Sequence, residues 1–370
     1  MNTENDQRII LTLDAGGTNF VFSAIRGNAE IVEPLTRPAW PHDLEKCLAS
    51  LVEGFESLNR LLPEPPVAIS FAFPGPADYP AGIIGDLPNF KAFTEGVALG
   101  PMLEDHFGIP VFINNDGSLF AYGEALSGYL PMLNEKIRKA GGIKQFQNLI
   151  GLTLGTGFGC GIVTRSNQLL EGDNSCDAGI HATLNKFNST WYAEESVSTR
   201  AIQRVYAEVG GFEFDDSLMP KDIYEIALEK KAGEADAAKT SFRVFGEALG
   251  SSIANISTLV DGIIVLGGGI TAAWELFAGA MFTELNRWLK DFRGNEFQRL
   301  PFEVYNLEKQ EDFARFASGQ VKELKVPGSG RTVQYDSNQR TGIGLSMLGA
   351  SKAVALGAYA FALEALKENQ

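Results

Sequence analysis

Two segments of the chain share one form, and this repeat limits the fold more than any other feature of the sequence. Each has an apolar strand, a turn containing glycine and a second apolar strand: residues 9–13, 16–17 and 19–25 in the first segment, and residues 148–154, 155–157 and 159–164 in the second. Strands this close together form a hairpin. The two hairpins lie about 140 residues apart, and a repeat of this kind predicts a duplicated α/β domain with a ligand held between the copies.

The residues after the first turn exclude one common glycine-rich site. A dinucleotide-binding fingerprint requires a helix directly after its glycines. Here Phe20, Val21 and Phe22 continue as a strand, so a helix is not expected at this position. The first turn therefore belongs to a hairpin rather than to a strand–helix unit.

The rest of the sequence alternates between strands and helices. Apolar spacing predicts helices at 43–62, 117–126, 194–208, 220–232, 235–259, 274–292 and 350–366, and strands at 67–73, 110–114, 262–266 and 332–335. A chain of 370 residues has the length of two domains. The last predicted helix is rich in Ala and Gly and can pack closely on a neighbour, and we expect it to return to the first domain. The predicted domains are residues 1–126 plus 346–370, and residues 127–345.

Composition narrows the class of protein. The formal net charge of −15 argues against a nucleic-acid partner, which requires Lys and Arg against the phosphates. The sequence has no signal-peptide core and no run of eighteen apolar residues, so we expect no membrane span and a cytoplasmic location. The cysteines Cys47, Cys160 and Cys176 are far apart and fit reduced, buried thiols.

Four short motifs follow in a fixed order and together indicate phosphoryl transfer. They are Asp14-Ala-Gly-Gly-Thr18 with Asn19, the pair Asn115-Asp116, Gly155-Thr-Gly-x-Gly-x-Gly161, and Gly267-Gly268-Gly269. Each motif alone is more often a turn or a helix cap than a site. Their joint occurrence predicts a binding site for ATP and an acceptor.

The predicted chemistry assigns a role to each motif. Backbone N–H groups of glycine turns can approach phosphates closely, so we expect ATP at Gly16, Gly17, Thr18, Asn19, Gly155, Thr156 and Gly157. Asp14 is suited to hold Mg²⁺ through water, and Gly267, Gly268 and Gly269 leave room for a flat adenine. Asp116 can accept the proton of an attacking sugar hydroxyl, which contributes roughly 100- to 10,000-fold to the rate.

Longer motifs make the chain resemble the ROK family of sugar kinases and repressors, in the actin-like ATPase superfamily. They are LDAGGTNF at 13–20, FPGP at 73–76, LPNF at 87–90, FINNDG at 112–117, TLGTGFGCGIV at 153–163, VLGGGI at 265–270 and LGASKAVALGAYAFAL at 348–363. The resemblance implies a two-domain α/β actin-like (ribonuclease H-like) fold with a ligand cleft between the domains. It runs from about residue 9 to residue 366, with 308–340 outside it.

The resemblance also implies sugar-site residues. Asp116 resembles the family's catalytic base, Asn115 a ligand of a sugar hydroxyl, and Asn89 lies on the loop that lines the sugar pocket. Glu194, with Ser198 four residues on, resembles the family's acidic sugar ligand. An acidic first turn of a helix explains Glu194 equally well.

One stretch departs from the family pattern, which has Gly-Glu-x-Gly-His and then a cysteine-rich zinc site. Here the sequence is Cys-Asp-Ala-Gly-Ile-His at 176–181, so the glutamate is missing and Asp177 is the nearest acid. His181 resembles the family's sugar-binding histidine displaced by one position, and a structural role explains this lone histidine equally well. Residues 185–192 contain no Cys and no second His, and we predict no zinc.

The resulting hypothesis is ATP- and Mg²⁺-dependent phosphorylation of a hexose or an N-acetylhexosamine. The main alternative is a sugar-binding regulatory homologue without catalysis, which the altered sugar motif suggests. Only eight residues precede Ile9, which argues against a repressor with a DNA-binding domain. The FPGP and LPNF segments argue against a carboxylate kinase. By resemblance we expect domain closure around the sugar and a homo-oligomer, in the first instance a dimer.

Overall fold

The computed structural model describes residues 3–16, 18–85, 87, 91–172 and 179–368, with Glu368 described by its backbone alone. Contacts divide the chain into two compact units. Unit 1 contains residues 1–131, 161–178 and 347–370, and unit 2 contains residues 132–160 and 179–346. None of the described helices combines the length and the apolarity that a membrane span requires.

The elements of the chain as far as residue 139 begin with a short 3₁₀ turn at Thr3–Asn5. The strands and helices that follow it are β1 (Ile10–Ala15), β2 (Asn19–Arg26), β3 (Ala29–Glu30), β4 (Leu35–Pro38), α1 (Leu44–Asn59), β5 (Ala68–Ala72), β6 (Ala77–Asp78), β7 (Ile83–Ile84), β8 (Val97–Ala98), α2 (Leu99–Phe107), β9 (Val111–Asn114), α3 (Asp116–Leu126) and α4 (Tyr129–Lys139).

The later elements include 3₁₀ turns at Ile180–Ala182, Ala193–Ser196 and Gly269–Ala273. The strands and helices are β10 (Leu149–Leu154), β11 (Phe158–Thr164), β12 (Gln168–Leu169), α5 (Thr199–Gly210), α6 (Pro220–Ala227), α7 (Ala235–Leu259), β13 (Ile263–Gly267), α8 (Trp274–Leu285), β14 (Trp288–Lys290), β15 (Glu296–Gln298), β16 (Glu303–Asn306), α9 (Gln310–Ser318), β17 (Val321–Lys325), β18 (Thr332–Asp336), β19 (Arg340–Leu345) and α10 (Ala350–Glu368).

Unit 1 is built on a sheet with the order β3-β2-β1-β5-β9, and β4 pairs with β2. Strands β1 and β2 are antiparallel, with Asp14 opposite Val21, which confirms the first predicted hairpin. Strands β1, β5 and β9 run parallel. Their carboxyl ends therefore lie at one edge of the sheet, where ligands of open α/β sheets usually bind. Asp14 and Asn114 lie at this edge.

Helix α1 covers one face of this sheet. Asp43 caps its N-terminus by accepting a hydrogen bond from the backbone N–H of Lys46 at 3.1 Å. The helical spacing of its apolar residues places Leu51 and Phe55 in the core, both with no exposed surface, and the Phe55 ring lies 4.9 Å from that of Phe22. Burying each such side chain contributes roughly 1.5–3 kcal/mol.

Helices α3 and α10 pack against each other on the other side of unit 1. Gly123 of α3 lies against the carbonyl of Ala353, and Gly357 of α10 lies against the carbonyl of Leu119, with no space for a Cβ at either position. Glycines at these positions let the two backbones touch. This close contact fixes α3, whose first residue is Asp116.

The sheet of unit 2 contains the parallel strands β10, β13, β19 and β16 in that order. Strand β11 lies beside β10 after the turn at 155–157, which confirms the second predicted hairpin. Because β10 and β13 are parallel, the turn after β10 and the glycine run after β13 lie at the same edge of the sheet. Helix α7 packs against α8 and α5.

Several predicted boundaries were wrong. The helix predicted at 194–208 begins at Thr199, because Ser198 has an extended backbone. The helix predicted at 274–292 ends at Leu285, where the Asn286 side chain donates to the carbonyls of both Phe282 and Val304 and turns the chain toward β16. The structure also has helices α2, α4 and α9 and the hairpins β14–β15 and β17–β18, none of which we predicted as such.

Two of the three cysteines lie in described parts of the chain. Cys47 and Cys160 are free and buried. Burial raises the pKa of the Cys47 thiol to about 12 and raises the pKa of Cys160 as well. Both are structural thiols, as we predicted, because a neutral buried thiol is a weak nucleophile. Cys176 lies outside the described residues.

Candidate active site

Most of the predicted site residues lie in described parts of the chain. Three of them, Gly17 in the first turn, Asn89 in the LPNF segment and Asp177 in the altered sugar motif, lie outside the described residues.

The first turn presents exposed polar side chains beside a tight backbone. Asp14, Thr18 and Asn19 are all exposed. A Cβ on Gly16 would lie 2.9 Å from the carbonyl oxygen of Asn19, so the turn requires glycine there. The carbonyl of Thr18 accepts a hydrogen bond from the N–H of Ala39 at 3.0 Å. Asp14 is exposed beside these residues, so a ligand can reach its carboxylate.

Asp116 is the first residue of α3, and Asn115 is its N-cap. The backbone N–H of Gly117 donates to Asn115 Oδ1 at 2.8 Å and to Asp116 Oδ1 at 2.9 Å. Asn115 Nδ2 also donates to the hydroxyl of Tyr79 at 3.4 Å. The acid therefore has a fixed position at a helix N-terminus, where a negative charge is favourable.

The pKa of Asp116 is raised above its ordinary value. The main cause is that surrounding protein atoms displace water from the carboxyl group, and the charge of Asp14 raises the pKa further. The hydrogen bond from Gly117 opposes both effects. The side chain nevertheless keeps exposed surface, so a substrate can reach it. An accessible carboxylate with a raised pKa is typical of a general base.

Asn114 links this base to Glu171, which lies in none of the predicted motifs. Asn114 is 1% exposed, and its Oδ1 accepts a hydrogen bond from the N–H of Asn115 at 2.7 Å. Its Nδ2 donates to Glu171 Oε1 at 2.6 Å. Glu171 is exposed, 57 positions away, and belongs to the same unit. The exposed carboxylate of Glu171 is thus tied to the peptide that precedes Asn115 and Asp116.

The second turn is held by the segment that leads into α5. The carbonyl of Gly155 accepts hydrogen bonds from the N–H and the hydroxyl of Thr199, at 2.8 and 3.1 Å. Glu194 Oε2 accepts a hydrogen bond from the N–H of Phe158 at 2.9 Å. No described atom lies within 4 Å of a Cβ built on Gly155. Packing in the described structure therefore does not account for a glycine at position 155.

Glu194 lies in the first turn of the 3₁₀ helix at 193–196, ahead of α5 rather than within it. Its Oε1 accepts a hydrogen bond from Arg200 at 2.7 Å. Arg200 also binds Glu195, through Nε at 3.1 Å and through NH2 at 2.7 Å. Together, these groups place a carboxylate, fixed by two donors, directly against the second turn.

The third glycine run contains one residue that only glycine can occupy. Gly268 has φ of +93°, and a Cβ there would collide with the backbone of Leu154. Its carbonyl accepts hydrogen bonds from the N–H and the hydroxyl of Thr271, at 3.2 and 2.7 Å. Gly267 ends β13, whereas a Cβ on Gly269 would meet no described atom within 4 Å. The run therefore combines a structural glycine with one that leaves open space.

Two predicted features of the sugar and metal sites remain. His181 is exposed in the 3₁₀ turn at 180–182. In the ranges that the structure describes, no three His, Cys, Asp or Glu side chains form a cluster suited to a metal ion. Asp14 is an exposed single carboxylate, which fits Mg²⁺ because this ion keeps most of its water ligands.

Known proteins with similar sequences and structures identify the family. A glucokinase from Thermotoga maritima is 26% identical over 291 residues, 74% of this chain and 85% of the relative. The crystal structure of a glucokinase from Parabacteroides distasonis has 51% identity and a TM-score of 0.89, and the match covers 98% of this chain and 99% of that one.

A third comparison supports the fold. A ROK family glucokinase from Streptomyces griseus, solved with glucose and AMPPNP, has a TM-score of 0.58 at 19% identity and covers 96% of this chain and 98% of its own. The α/β actin-like fold that we predicted is confirmed by these structures. The sequence pattern of the ROK family matches residues 10–305, and the chain therefore belongs to the ROK family.

Proposed function

We propose that this chain is an ATP-dependent kinase of a hexose or an N-acetylhexosamine, with Asp116 as the general base. The observation that carries this proposal is the geometry of Asp116, an exposed carboxylate fixed at a helix N-terminus and partly desolvated. Such a group can receive a proton from an alcohol. The similarity to glucokinases supports the same reaction.

On this proposal, Asp116 takes the proton of the acceptor hydroxyl as that oxygen bonds to the γ-phosphorus of ATP, while the bond from this phosphorus to the bridging oxygen breaks and ADP leaves. Its raised pKa improves the base, since a base is most effective when its pKa lies near the working pH. Asn115 orients both the acid and the sugar. We also assign Asn89, Asp177, His181 and Glu194 to sugar binding, on the resemblance of their motifs. The carboxylate of Glu171, tied to Asn114, lies near Asn115 as well.

The ATP side uses backbone groups and one acid. We assign the phosphates to Gly16, Gly17, Thr18 and Asn19 and to Gly155, Thr156 and Gly157, and the adenine to Gly267, Gly268 and Gly269. The open space at positions 155 and 269 supports this assignment. Mg²⁺, held by Asp14 through water, would supply positive charge that offsets the charge of the transferred phosphoryl group.

The test is a kinase assay with Mg²⁺ and ATP against a panel of hexoses, N-acetylhexosamines and ketoses. We expect turnover with at least one sugar, and we expect Asp116→Asn to lose activity while its ATP binding stays unchanged. Asp105→Asn, the same exchange at an exposed position of α2, is the matched control and should stay active. Equal activity in the Asp116→Asn variant and the wild type would refute the assigned base.

The same assay decides between the kinase and the regulatory homologue. The altered motif at 176–181 favours the second candidate, because the loss of a carboxylate weakens binding of a hydroxyl pair. Sugar binding without turnover on any sugar would refute the kinase and support the regulator. For either function we propose a homodimer in the cytoplasm, and sedimentation of the purified chain would test the dimer.

A further inference from the structure

We propose that Arg200 is a positioning residue of the ATP site, which reduces the negative charge beside the second turn and so allows phosphate to bind there. This inference rests on the proposed function, because it takes the turn at 155–157 as a phosphate site. All the groups involved belong to unit 2. Neither the motifs nor the similarity to known kinases assigns a role to Arg200.

The first observation is a carboxylate at the turn itself. Glu194 Oε2 lies 2.9 Å from the backbone nitrogen of Phe158, and a Cβ on Gly157 would lie 2.9 Å from the same oxygen. A phosphate bound by the neighbouring N–H groups would therefore meet a negative charge at close range. In surroundings of intermediate polarity, two like charges at such a short distance repel strongly. The turn needs a compensating cation to bind phosphate.

The second observation is that Arg200 contacts both nearby acids. Its NH2 group lies 2.7 Å from Glu194 Oε1 and 2.7 Å from Glu195 Oε1, and its Nε lies 3.1 Å from Glu195 Oε1. The two carboxylates raise the pKa of Arg200, Glu195 more than Glu194. One guanidinium thus pairs with both acids and cancels one of their two negative charges, and it holds the Glu194 carboxylate by one oxygen while the turn holds it by the other.

The third observation is the position of Arg200 in its helix. It is the second residue of α5, and the N–H of Thr199, the first residue, donates to the turn at Gly155. A cation in the first turn of a helix opposes the helix dipole and is unfavourable for the helix alone. The acids at 194 and 195 explain why an arginine stands there. The arrangement places the cation where it acts on the turn.

The experiment measures binding of Mg-ATP by calorimetry and, where there is turnover, KM and kcat, for the wild type, Arg200→Met and Arg200→Lys. We expect Arg200→Met to weaken ATP binding on the order of ten- to a hundredfold, because it leaves two acids unbalanced. The loss should shrink when the salt rises from about 0.05 to about 0.5 M, since salt screens exposed charges. Arg200→Lys should keep most of the affinity, and kcat should change less than KM.

Two further variants distinguish an effect of charge on ATP binding from a defect in folding. Arg138→Met removes an exposed arginine paired with Glu135 and is the matched control, which should bind ATP as the wild type does. Glu195→Gln in the Arg200→Met background removes one of the unbalanced charges and should recover part of the affinity. A merely structural defect would be insensitive to salt and would not be rescued by Glu195→Gln.

The outcomes distinguish this inference from the proposed function. Unchanged ATP binding in Arg200→Met, or a loss that neither salt nor Glu195→Gln relieves, would overturn the role of Arg200 while the kinase stands. A wild-type chain that binds ATP but phosphorylates no sugar would refute the kinase, and the binding data would still test Arg200. A wild-type chain that does not bind Mg-ATP would overturn both.

Discussion

Two glycines of unit 2 should respond in opposite ways to the same substitution. Gly268 has φ of +93°, and an added Cβ would lie 2.8 Å from the backbone nitrogen of Leu154 and closer still to its carbonyl. Gly155 has φ outside the left-handed region, and its Cβ would meet no described atom within 4 Å. The Gly268→Ala variant therefore tests whether the fold requires glycine at this position, whereas the Gly155→Ala variant tests whether ATP binds at the second turn.

The expected magnitudes follow from these geometries. For Gly268→Ala, a backbone at φ +93° and ψ 165°, which is almost restricted to glycine, costs roughly 1–3 kcal/mol and the overlap with Leu154 costs roughly 1–3 kcal/mol. The resulting loss of stability should lower the Tm by on the order of 10 °C. Gly155→Ala should leave the Tm unchanged or slightly raised, because alanine lowers the conformational entropy of the unfolded chain and its Cβ causes no clash in the folded chain. It should raise the KM for ATP by about 10- to 150-fold if its methyl group displaces one charged hydrogen bond.

The assays are thermal denaturation by circular dichroism and ATP titration at saturating sugar. Gly330→Ala is the control, because this glycine also faces open space without a left-handed φ but lies outside the proposed site. It should change neither quantity. A fall in Tm of Gly155→Ala as large as that of Gly268→Ala would refute the structural argument. An unchanged KM for ATP in a stable Gly155→Ala variant would remove the turn from the ATP site.

The remaining predictions concern three acids. Since the raised pKa of Asp116 belongs to a base that must be ionised, kcat/KM should fall on the acid side at a higher pH than an ordinary aspartate, with a pKa of about 3.9, would give. Above its raised pKa in the folded state, the charged Asp116 destabilises the fold, whereas below the pKa of the unfolded chain the acid is protonated in both states. Asp116→Asn should therefore raise the Tm at neutral pH but not at pH below about 3.9. Asp336→Ala should destabilise the chain by about 3–5 kcal/mol in denaturant titrations, because it leaves the buried Arg340 guanidinium without its ion pair, at 2.7 Å in the wild type. Burial alone would raise the pKa of Asp336, but hydrogen bonds from Gln320 and Arg340 lower it, so this stability should be present above pH 3.9 and lost at lower pH. An Asp336→Ala variant as stable as the wild type would contradict the pairing. Glu171→Gln should raise the KM for sugar roughly fivefold and leave that for ATP unchanged, since it replaces a charged hydrogen bond to Asn114 by a neutral one; equal effects on both would contradict a role at the sugar.

Features set by neighbouring residues could be predicted from the sequence. Both hairpins follow from apolar strands beside glycine turns, and α7 has the predicted bounds Ala235–Leu259 because its apolar spacing is regular over 25 residues. The family prediction is confirmed as well. The family was predictable because its motifs are local sequence patterns, which include the turns after β1 and β10.

Features that depend on distant contacts could not be predicted. The hydrogen bond between Asn114 and Glu171 joins residues 57 positions apart, and no sequence pattern around Glu171 predicts it. The end of α8 depends on hydrogen bonds from Asn286 to β16, 18 residues later. For Arg200, the only available signal was a basic residue in the first turn of a helix, which opposes the dipole. A rule on helix ends would have drawn attention to it.

The division of the chain into units has a consequence for synthesis. Helix α10 packs on α3 through Gly123 and Gly357, so unit 1 needs residues from both sides of unit 2. On the ribosome, α3 is made long before α10. At roughly 5–20 residues per second the intervening chain takes on the order of 10 to 40 seconds. During that time the backbone of α3 lacks its partner, whereas the segments of unit 2 can already fold. Asp116 would then acquire its final surroundings only after α10 has left the exit tunnel, so premature termination within α10 should release chains whose second unit is folded and whose first is not.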